Sequence, residues 1–259
     1  MAAYNAAATI EESVGSIQAQ TYPDWELIVC DDGSTDETAA ILDRLAACDT
    51  RIRVIRNGTN RGLPASLNHC LQYAVGDYVA RMDADDRSAP ERLAVQAAFL
   101  DAHPDADVVG TGMICFDETG VTGCRMPPEH PGPEQLGPGV PFFHATIMMR
   151  RAVYLELGGY SLQPYVLRCE DVDLWFRFFG AGHTGVNIPR ALYEVREDLS
   201  AARRRQFRYA VHASRTLLHG FRTNGYPARQ YLYVLKPLLS VLIPARLKAA
   251  INKRRWKKN

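Results

Sequence analysis

Apolar residues along this chain follow two spacings. Short β-branched runs, such as residues 27–30 in "LIVCDDGSTDET", predict strands covered on both faces. Between such runs the apolar positions recur at helical intervals. Ile10, Val14 and Ile17 do so after a Thr9/Glu12 capping box, and Ile41, Leu42 and Leu45 do so after a second box at Ser34/Glu37. The same pattern predicts a strand in "RIRVI" (51–55), a helix over about 63–74 and a strand in "DYVARM" (77–82). A helix opened by Ser88, Pro90 and Glu91 runs through Leu100, and a strand follows over 106–116. This alternation predicts an α/β fold with a mostly parallel sheet and crossover helices. Residues 127–141, "PPEHPGPEQLGPGVP", read as a long loop of the kind that often carries function. A strand in "HATIMMR", a short helix ending at Gly158 and Gly159, and the patterned segment 170–179 come next, and the chain beyond Ser200 reads as helical and basic.

Two acidic clusters sit where predicted strands end. Asp31 and Asp32 follow the run 27–30, and Gly33 permits a tight exit. Ser34, Asp36 and Glu37 have a local task, since hydroxyls and acids suit a helix start. Asp31 and Asp32 are not needed for that, and side chains at the carboxyl end of such strands line ligand crevices. The second cluster is "RMDADD" (81–86), in which Asp83 and Asp85 share a face of extended backbone. Two converging carboxylates suit Mg²⁺ or Mn²⁺, whose open positions a diphosphate commonly fills. On its own, an Asp-x-Asp is better read as a solvated acidic turn ahead of a helix.

Composition narrows the class. The chain has 259 residues, 47% apolar and 23% charged, as expected of one sizeable core with an appendage. Its six cysteines form no CxxC pair and read as reduced structural residues. The net charge of +1 hides an asymmetry: residues 200–259 carry 15 Lys and Arg and no acid, whereas residues 1–199 carry 15 basic and 29 acidic residues. A basic tail on an acidic body suggests an anionic partner surface. The tail's longest uncharged stretch, 237–245, is far short of the ~20 residues that span a bilayer. Residues 231–258, with Trp256 and a Lys/Arg cluster, instead suit the face of an anionic membrane.

Taken in order, "MAAYN" (1–5), "QTYPDWELIVCDDGSTDET" (20–38), "NRGLPASLN" (60–68), "ARMDADDRSAPERL" (80–93) and "CEDVDLWFR" (169–177) resemble the family 2 glycosyltransferases of GT-A fold. The resemblance runs from residue 1 to about 196. It implies a Rossmann-like GT-A domain over 1–199, followed by a basic helical segment over 200–259. It implies that Asp32 reads a nucleotide base, with Asp31 and residues Ala2, Ala3 and Tyr4 lining the same pocket. Asp83 would lie near ribose and metal, and Asp85 would ligate the Mn²⁺ or Mg²⁺ that bridges the diphosphate. Asp171 would be the catalytic base, with Glu170 as its partner. His144 could touch phosphate or acceptor, or be structural. Arg61 could meet the diphosphate, or be an exposed turn residue. Trp175 reads as core and could also wall the acceptor site.

The implied activity is inverting transfer of a sugar from a nucleotide diphosphate donor, UDP first, to a glycan or lipid-linked acceptor. The implied location is cytoplasmic and peripheral on the inner membrane face, with no nucleic acid partner. Relatives carry an apolar strand immediately before "MAAYN", so the first strand is expected to be truncated here. Two rivals stand beside this reading. A nucleotidyltransferase would show a glycine-rich phosphate loop near the start, which "MAAYNAAATIEE" lacks. A non-catalytic membrane- or nucleic-acid-binding module would not need Asp85 or Asp171.

Overall fold

The computed structural model describes residues 1–197 and 207–242. In chain order these form β1 (Ala2–Ala3), α1 (Ile10–Gln18), β2 (Leu27–Asp31), α2 (Thr38–Cys48), β3 (Ile52–Arg56) and α3 (Leu63–Leu71). Then come β4 (Tyr78–Ala80), β5 (Arg87–Ser88), α4 (Arg92–Ala102), β6 (Val108–Asp117) and β7 (Gly120–Arg125). The remainder is β8 (Met148–Arg150), α5 (Arg151–Glu156), α6 (Glu170–Gly180), β9 (Gly185–Arg196), α7 (Phe207–Thr223), a 3₁₀ helix (Ala228–Leu235) and α8 (Lys236–Leu242).

Every residue of β2 is buried, because helices cover both of its faces. Leu27 and Val29 pack with Ile10, Val14 and Ile17 of α1 and Leu42 of α2. Ile28 and Cys30, which point the other way, pack with Cys70 of α3. β1, β2 and β3 form a parallel sheet in that order. Ala2 also bridges Asp83 in parallel, so β1 lies between the acidic end of β2 and the second acidic cluster.

The other sheet runs β4-β8-β6-β9-β5, with β7 paired to β6. Only β6 and β9 pair in parallel there, and the other pairs are antiparallel. The α/β sheet flanked by helices stands as expected, while the parallel crossover pattern is confined to β1–β2–β3 and β6–β9. The cause lies in residues 118–150, which turn back as a hairpin and a loop without a crossover helix, so that β8 enters between β4 and β6. Neither β7 nor β9 has a strand-like sequence. β7 carries two glycines, and β9 contains Pro189, where the register slips from the Thr111–Ile188 pair to the Gly112–Ala191 pair.

Neither expected capping box forms. Thr9 makes no side-chain cap; its hydroxyl donates to Ala84 O at 2.9 Å, between Asp83 and Asp85. α2 starts only at Thr38, without a side-chain cap from Glu37. The polar residues of "DDGSTDET" serve a different segment. Ser34 Oγ accepts the N–H of Asn5 (3.0 Å), Thr38 Oγ1 that of Ala6 (2.8 Å) and Asp36 Oδ2 that of Ala7 (3.1 Å). Residues 5–7 leave β1 with no ladder partner, and the longer-range bonds supply acceptors for their N–H groups. Gly33 is fixed twice over: its φ is +71°, and a Cβ there would meet Thr59 C at 2.9 Å.

A cavity of about 470 Å³ opens between β2 and β4, lined among others by Met1, Ile28, Leu71, Val79 and Met82. It reaches Arg81 but none of the candidate site acids. All six cysteines are free; Cys48 and Cys124 are exposed and the other four are buried. Among the described residues no helix is long and apolar enough to cross a membrane. Of the tail segment 231–258, residues 243–258, including Trp256, lie outside the described residues.

Thr38 is fully buried and supplies the acceptor for Ala6. Thr38→Ala is expected to cost about 1–3 kcal/mol in denaturant-induced unfolding, as an unpaired buried N–H should. Thr38→Ser should restore most of it. Equal stability of wild type and Thr38→Ala would contradict this account of the loop.

Candidate active site

The backbone ladder of β4 continues at Arg81, whose N–H donates to Ile147 O at 2.9 Å. Side-chain alternation then puts Arg81 and Asp83 on one face, and they form an ion pair of 2.7 Å. Arg81 is 6% exposed, and its Nε and Nη1 have no hydrogen-bond partner. Its charge reaches beyond Asp83, lowering the pKa of Asp85, Glu170 and Asp171. Arg81 therefore ties the end of β4 to the start of α6 electrostatically. The sequence reading missed it, although a charged residue two places before Asp83 in an otherwise apolar strand was a usable signal.

Three carboxylates crowd this strand end. Asp83 is half-buried, and its backbone N–H donates to the hydroxyl of fully buried Tyr193 at 3.0 Å. Asp85 is exposed to solvent, yet partial desolvation by the surrounding wall and then repulsion from Asp83 raise its pKa. Asp86 is buried, and burial together with the same repulsion pushes it up to about 7. One of its oxygens accepts the N–H of Arg196 at 2.8 Å, which turns it away from Asp85's open side. The loop is braced from behind by buried Arg92. That guanidinium donates to Arg81 O (2.9 Å) and Ile147 O (3.2 Å), and to Gln96 Oε1 (2.9 Å).

On the other side of β1, Asp31 ends β2 opposite Ala3 and accepts the N–H of Ser34 at 3.1 Å. Asp32, expected to face the ligand, meets donors of the protein itself. Asp32 is 3% exposed, and its carboxylate is occupied by Asn57 Nδ2 (2.7 Å), Arg61 N (2.8 Å) and Gly62 N (2.8 Å). Burial alone would raise its pKa, but these donors outweigh burial and hold it below the ordinary range. Asp32 thus fixes the turn that carries Arg61. Arg61 contributes its backbone N–H to that contact, and its side chain is exposed. Ala2 and Ala3 are largely taken up by the ladder, while the ring of Tyr4 is 49% exposed beside them.

The opposite wall is the first turn of α6. Glu170 and Asp171 open it, after Cys169 and Arg168, the latter a non-glycine residue at φ +62°. The Arg168 guanidinium stacks over Tyr209 of α7, 5.0 Å from the ring centroid. Burial is the main cause that raises the pKa of Asp171, against the N–H of Val172 (2.8 Å) and the charge of Arg81. Glu170 is raised by burial and then by Asp171, and its Oε2 has no partner. Carboxylates displaced upward in this way gain strength as proton acceptors.

Behind them, His144 shares a 2.9 Å hydrogen bond with the Tyr160 hydroxyl. Burial and then Arg81 lower its pKa to about 3, so it is neutral and no cationic partner for phosphate. Trp175 is 1% exposed and packs on Phe142, His144 and Phe178, which makes it core.

The arrangement suits an ion that a ligand completes. Among the described residues, no group of three or more His, Cys, Asp or Glu is arranged to hold a metal. Asp85 with Asp83 offers one or two oxygen donors, and a cation there would relieve the repulsion that raises Asp85. Such a donor set fits Mg²⁺ or Mn²⁺ bound jointly with phosphates, not a closed protein cage.

Known proteins share this chain's sequence and fold. The profile of "Glycosyl transferase family 2" matches residues 1–158. EpsE of Bacillus subtilis strain 168, named as a glycosyltransferase, is 47% identical over 256 residues, covering 98% of this chain and 92% of its own length. WfaP of Escherichia coli is 38% identical over 193 residues, covering 70% of this chain and 69% of its own. Its name describes a UDP-Glc:alpha-D-GlcNAc-diphosphoundecaprenol beta-1,3-glucosyltransferase. Among solved structures, the mannosyltransferase PcManGT of Pyrobaculum calidifontis, in complex with GDP-Man and Mn²⁺, has the same fold. Its TM-score is 0.67 at 19% identity, over 98% of this chain and 78% of that one. A profile match over more than half the chain, a near-full-length relative and a shared GT-A fold together place this protein in glycosyltransferase family 2.

Proposed function

We propose that this glycosyltransferase moves a sugar from a nucleotide diphosphate donor, UDP-linked first, to a hydroxyl of a lipid-linked or glycan acceptor, with inversion. The observation that carries this reading is Arg81. One buried guanidinium acts at once on the strand-end acids Asp83 and Asp85 and on the helix-start acids Glu170 and Asp171. A donor diphosphate at Asp83 and Asp85 and an acceptor hydroxyl at Asp171 would then meet across a short gap. The relatives' names and complexes support a nucleotide-sugar donor and, through WfaP, a diphosphate-lipid acceptor. The nucleotidyltransferase rival is disfavoured by the family.

In this reading Asp31 and the exposed ring of Tyr4 flank the base. Asp85, with Asp83, would hold Mg²⁺ or Mn²⁺, which when bound neutralises charge on the departing diphosphate. Asp171 takes the proton from the acceptor hydroxyl as that oxygen attacks the anomeric carbon. Glu170 stands beside it in the first turn of α6 as its partner. A single base and a single displacement leave the anomeric centre inverted. The basic segment 200–259 would bring the enzyme to an anionic membrane surface where such acceptors reside.

Three outcomes test this reading. UDP should raise the melting temperature in the presence of Mn²⁺ and much less in its absence, and Asp85→Asn should abolish the difference. A metal-independent shift of equal size would contradict the assignment of Asp85. Asp171→Asn should lower kcat by about 100- to 10,000-fold while UDP binding persists. Retained turnover would remove Asp171 from the chemistry.

The third outcome is the pH profile. Asp171 must be ionised to act, and its pKa is raised, so kcat should fall as pH drops through a value above the ordinary aspartate pKa of about 3.9. Arg81 lowers that pKa, so Arg81→Gln should move the acid limb to higher pH and Arg81→Lys should return it. An unmoved limb in a folded Arg81→Gln variant would contradict the electrostatic link.

A further inference from the structure

A second cavity, of about 390 Å³, adjoins the candidate site behind the first turns of α6. It is roofed by the 127–141 loop through Leu136 and Val140, and backed by Val172 and Trp175 of α6, Leu217 of α7 and Pro237 of α8. Its volume is in the range of small-ligand sites, about 300–1,000 Å³. The loop itself is strapped down: Asn187 donates to Pro128 O (2.7 Å) and Pro141 O (2.9 Å), so the groove is a formed feature.

Three observations say what could occupy it. First, it adjoins the proposed acceptor side. Cys169 and Val172 line it, and Glu170 and Asp171 lie between them in the first turn of α6. Second, its mouth is cationic: Lys236 lines it, with Nζ held by Gly137 O (3.2 Å) and Pro138 O (2.5 Å). Residues 207–242 as a whole contain five Lys and Arg and no acid. Third, in the segment that carries Lys236, Leu232, Leu235 and Leu239 are 74%, 53% and 58% exposed, at helical spacing along the 3₁₀ helix and α8. The apolar trough thus has a proton acceptor's helix turn beside it, a cation in its lining and exposed leucines in the adjoining segment.

We infer that this groove holds the first isoprene units of a polyprenyl-diphosphate-linked acceptor. Such a molecule carries the matching parts: a sugar hydroxyl, a diphosphate and a branched hydrocarbon. The inference rests on the transferase reading above and adds to it a site that selects the lipid carrier. Apolar burial then supplies affinity on the acceptor side, and the leucine stripe meets the bilayer from which the chain emerges.

The test uses the full chain and geranylgeranyl diphosphate as probe, followed by isothermal titration. Geranylgeranyl diphosphate should bind at least about tenfold more tightly than inorganic diphosphate. Val140→Glu, which puts a charge at the rim, and Ala213→Phe, which fills the trough, should each remove that advantage. Two variants of opposite character guard against a simple folding defect in one. Equal affinity for the two probes would overturn the inference, as would unchanged binding in both folded variants. Binding to phosphatidylglycerol vesicles that neither variant nor added geranylgeranyl diphosphate alters would also overturn it, assigning the surface to bulk membrane. Metal-dependent UDP binding by the wild type is measured alongside. If it is present while the prenyl preference is absent, only the groove assignment fails; if it is absent, the transferase reading itself fails.

Discussion

The Arg81–Asp83 ion pair is the contact on which the site depends. A buried guanidinium with unpaired N–H groups is expensive unless anionic neighbours compensate it. Here the compensation comes from carboxylates on two separate elements. The end of β4 supplies Asp83 and Asp85, and the start of α6 supplies Glu170 and Asp171. These acids would otherwise repel one another across a gap that a negatively charged substrate must also enter. One fixed positive charge beneath them makes that arrangement tolerable. It also opposes the rise that burial imposes on the pKa of Asp171.

The loops around this pair are held by side chains that would ordinarily serve their own helices. Thr9 reaches Ala84, Ser13 reaches Asp86 O at 2.7 Å, and Ser34, Asp36 and Thr38 reach residues 5–7. The first turn of the chain is thereby clamped between both acidic clusters. The two clusters keep a fixed separation, as a nucleotide with its base at one and its diphosphate at the other would require. Arg92 does the same from the interior, linking the carbonyls of Arg81 and Ile147.

Much of this was legible from periodicity and spacing. Buried β2, the helices α1 to α4 and α6, and the acidic ends of two strands follow from apolar patterning, and the collinear motifs pointed to the family. What escaped did so for identifiable reasons. Pro189 and the glycines of β7 hide strands that pair only because β6 offers long edges. The capping boxes have the right letters, but the tertiary demand of residues 5–7 outbids the local one. Asp32 looked ligand-facing from its place after β2, yet the turn at Asn57, Arg61 and Gly62 claims its carboxylate, and no local pattern could reveal that. The reach of Arg81 to Glu170 and Asp171, and of Tyr193 to Asp83, exists only in the folded chain.

The central claim is that Asp83 and Asp85, poised by Arg81, receive a cation-bound nucleotide diphosphate facing Asp171. Crystals grown with UDP and Mn²⁺ test it through the manganese anomalous signal. The account predicts one peak within coordination distance of the Asp85 carboxylate and of a UDP phosphate, on the side that faces Asp171. A peak elsewhere on the chain, or UDP bound away from Asp85, would contradict it.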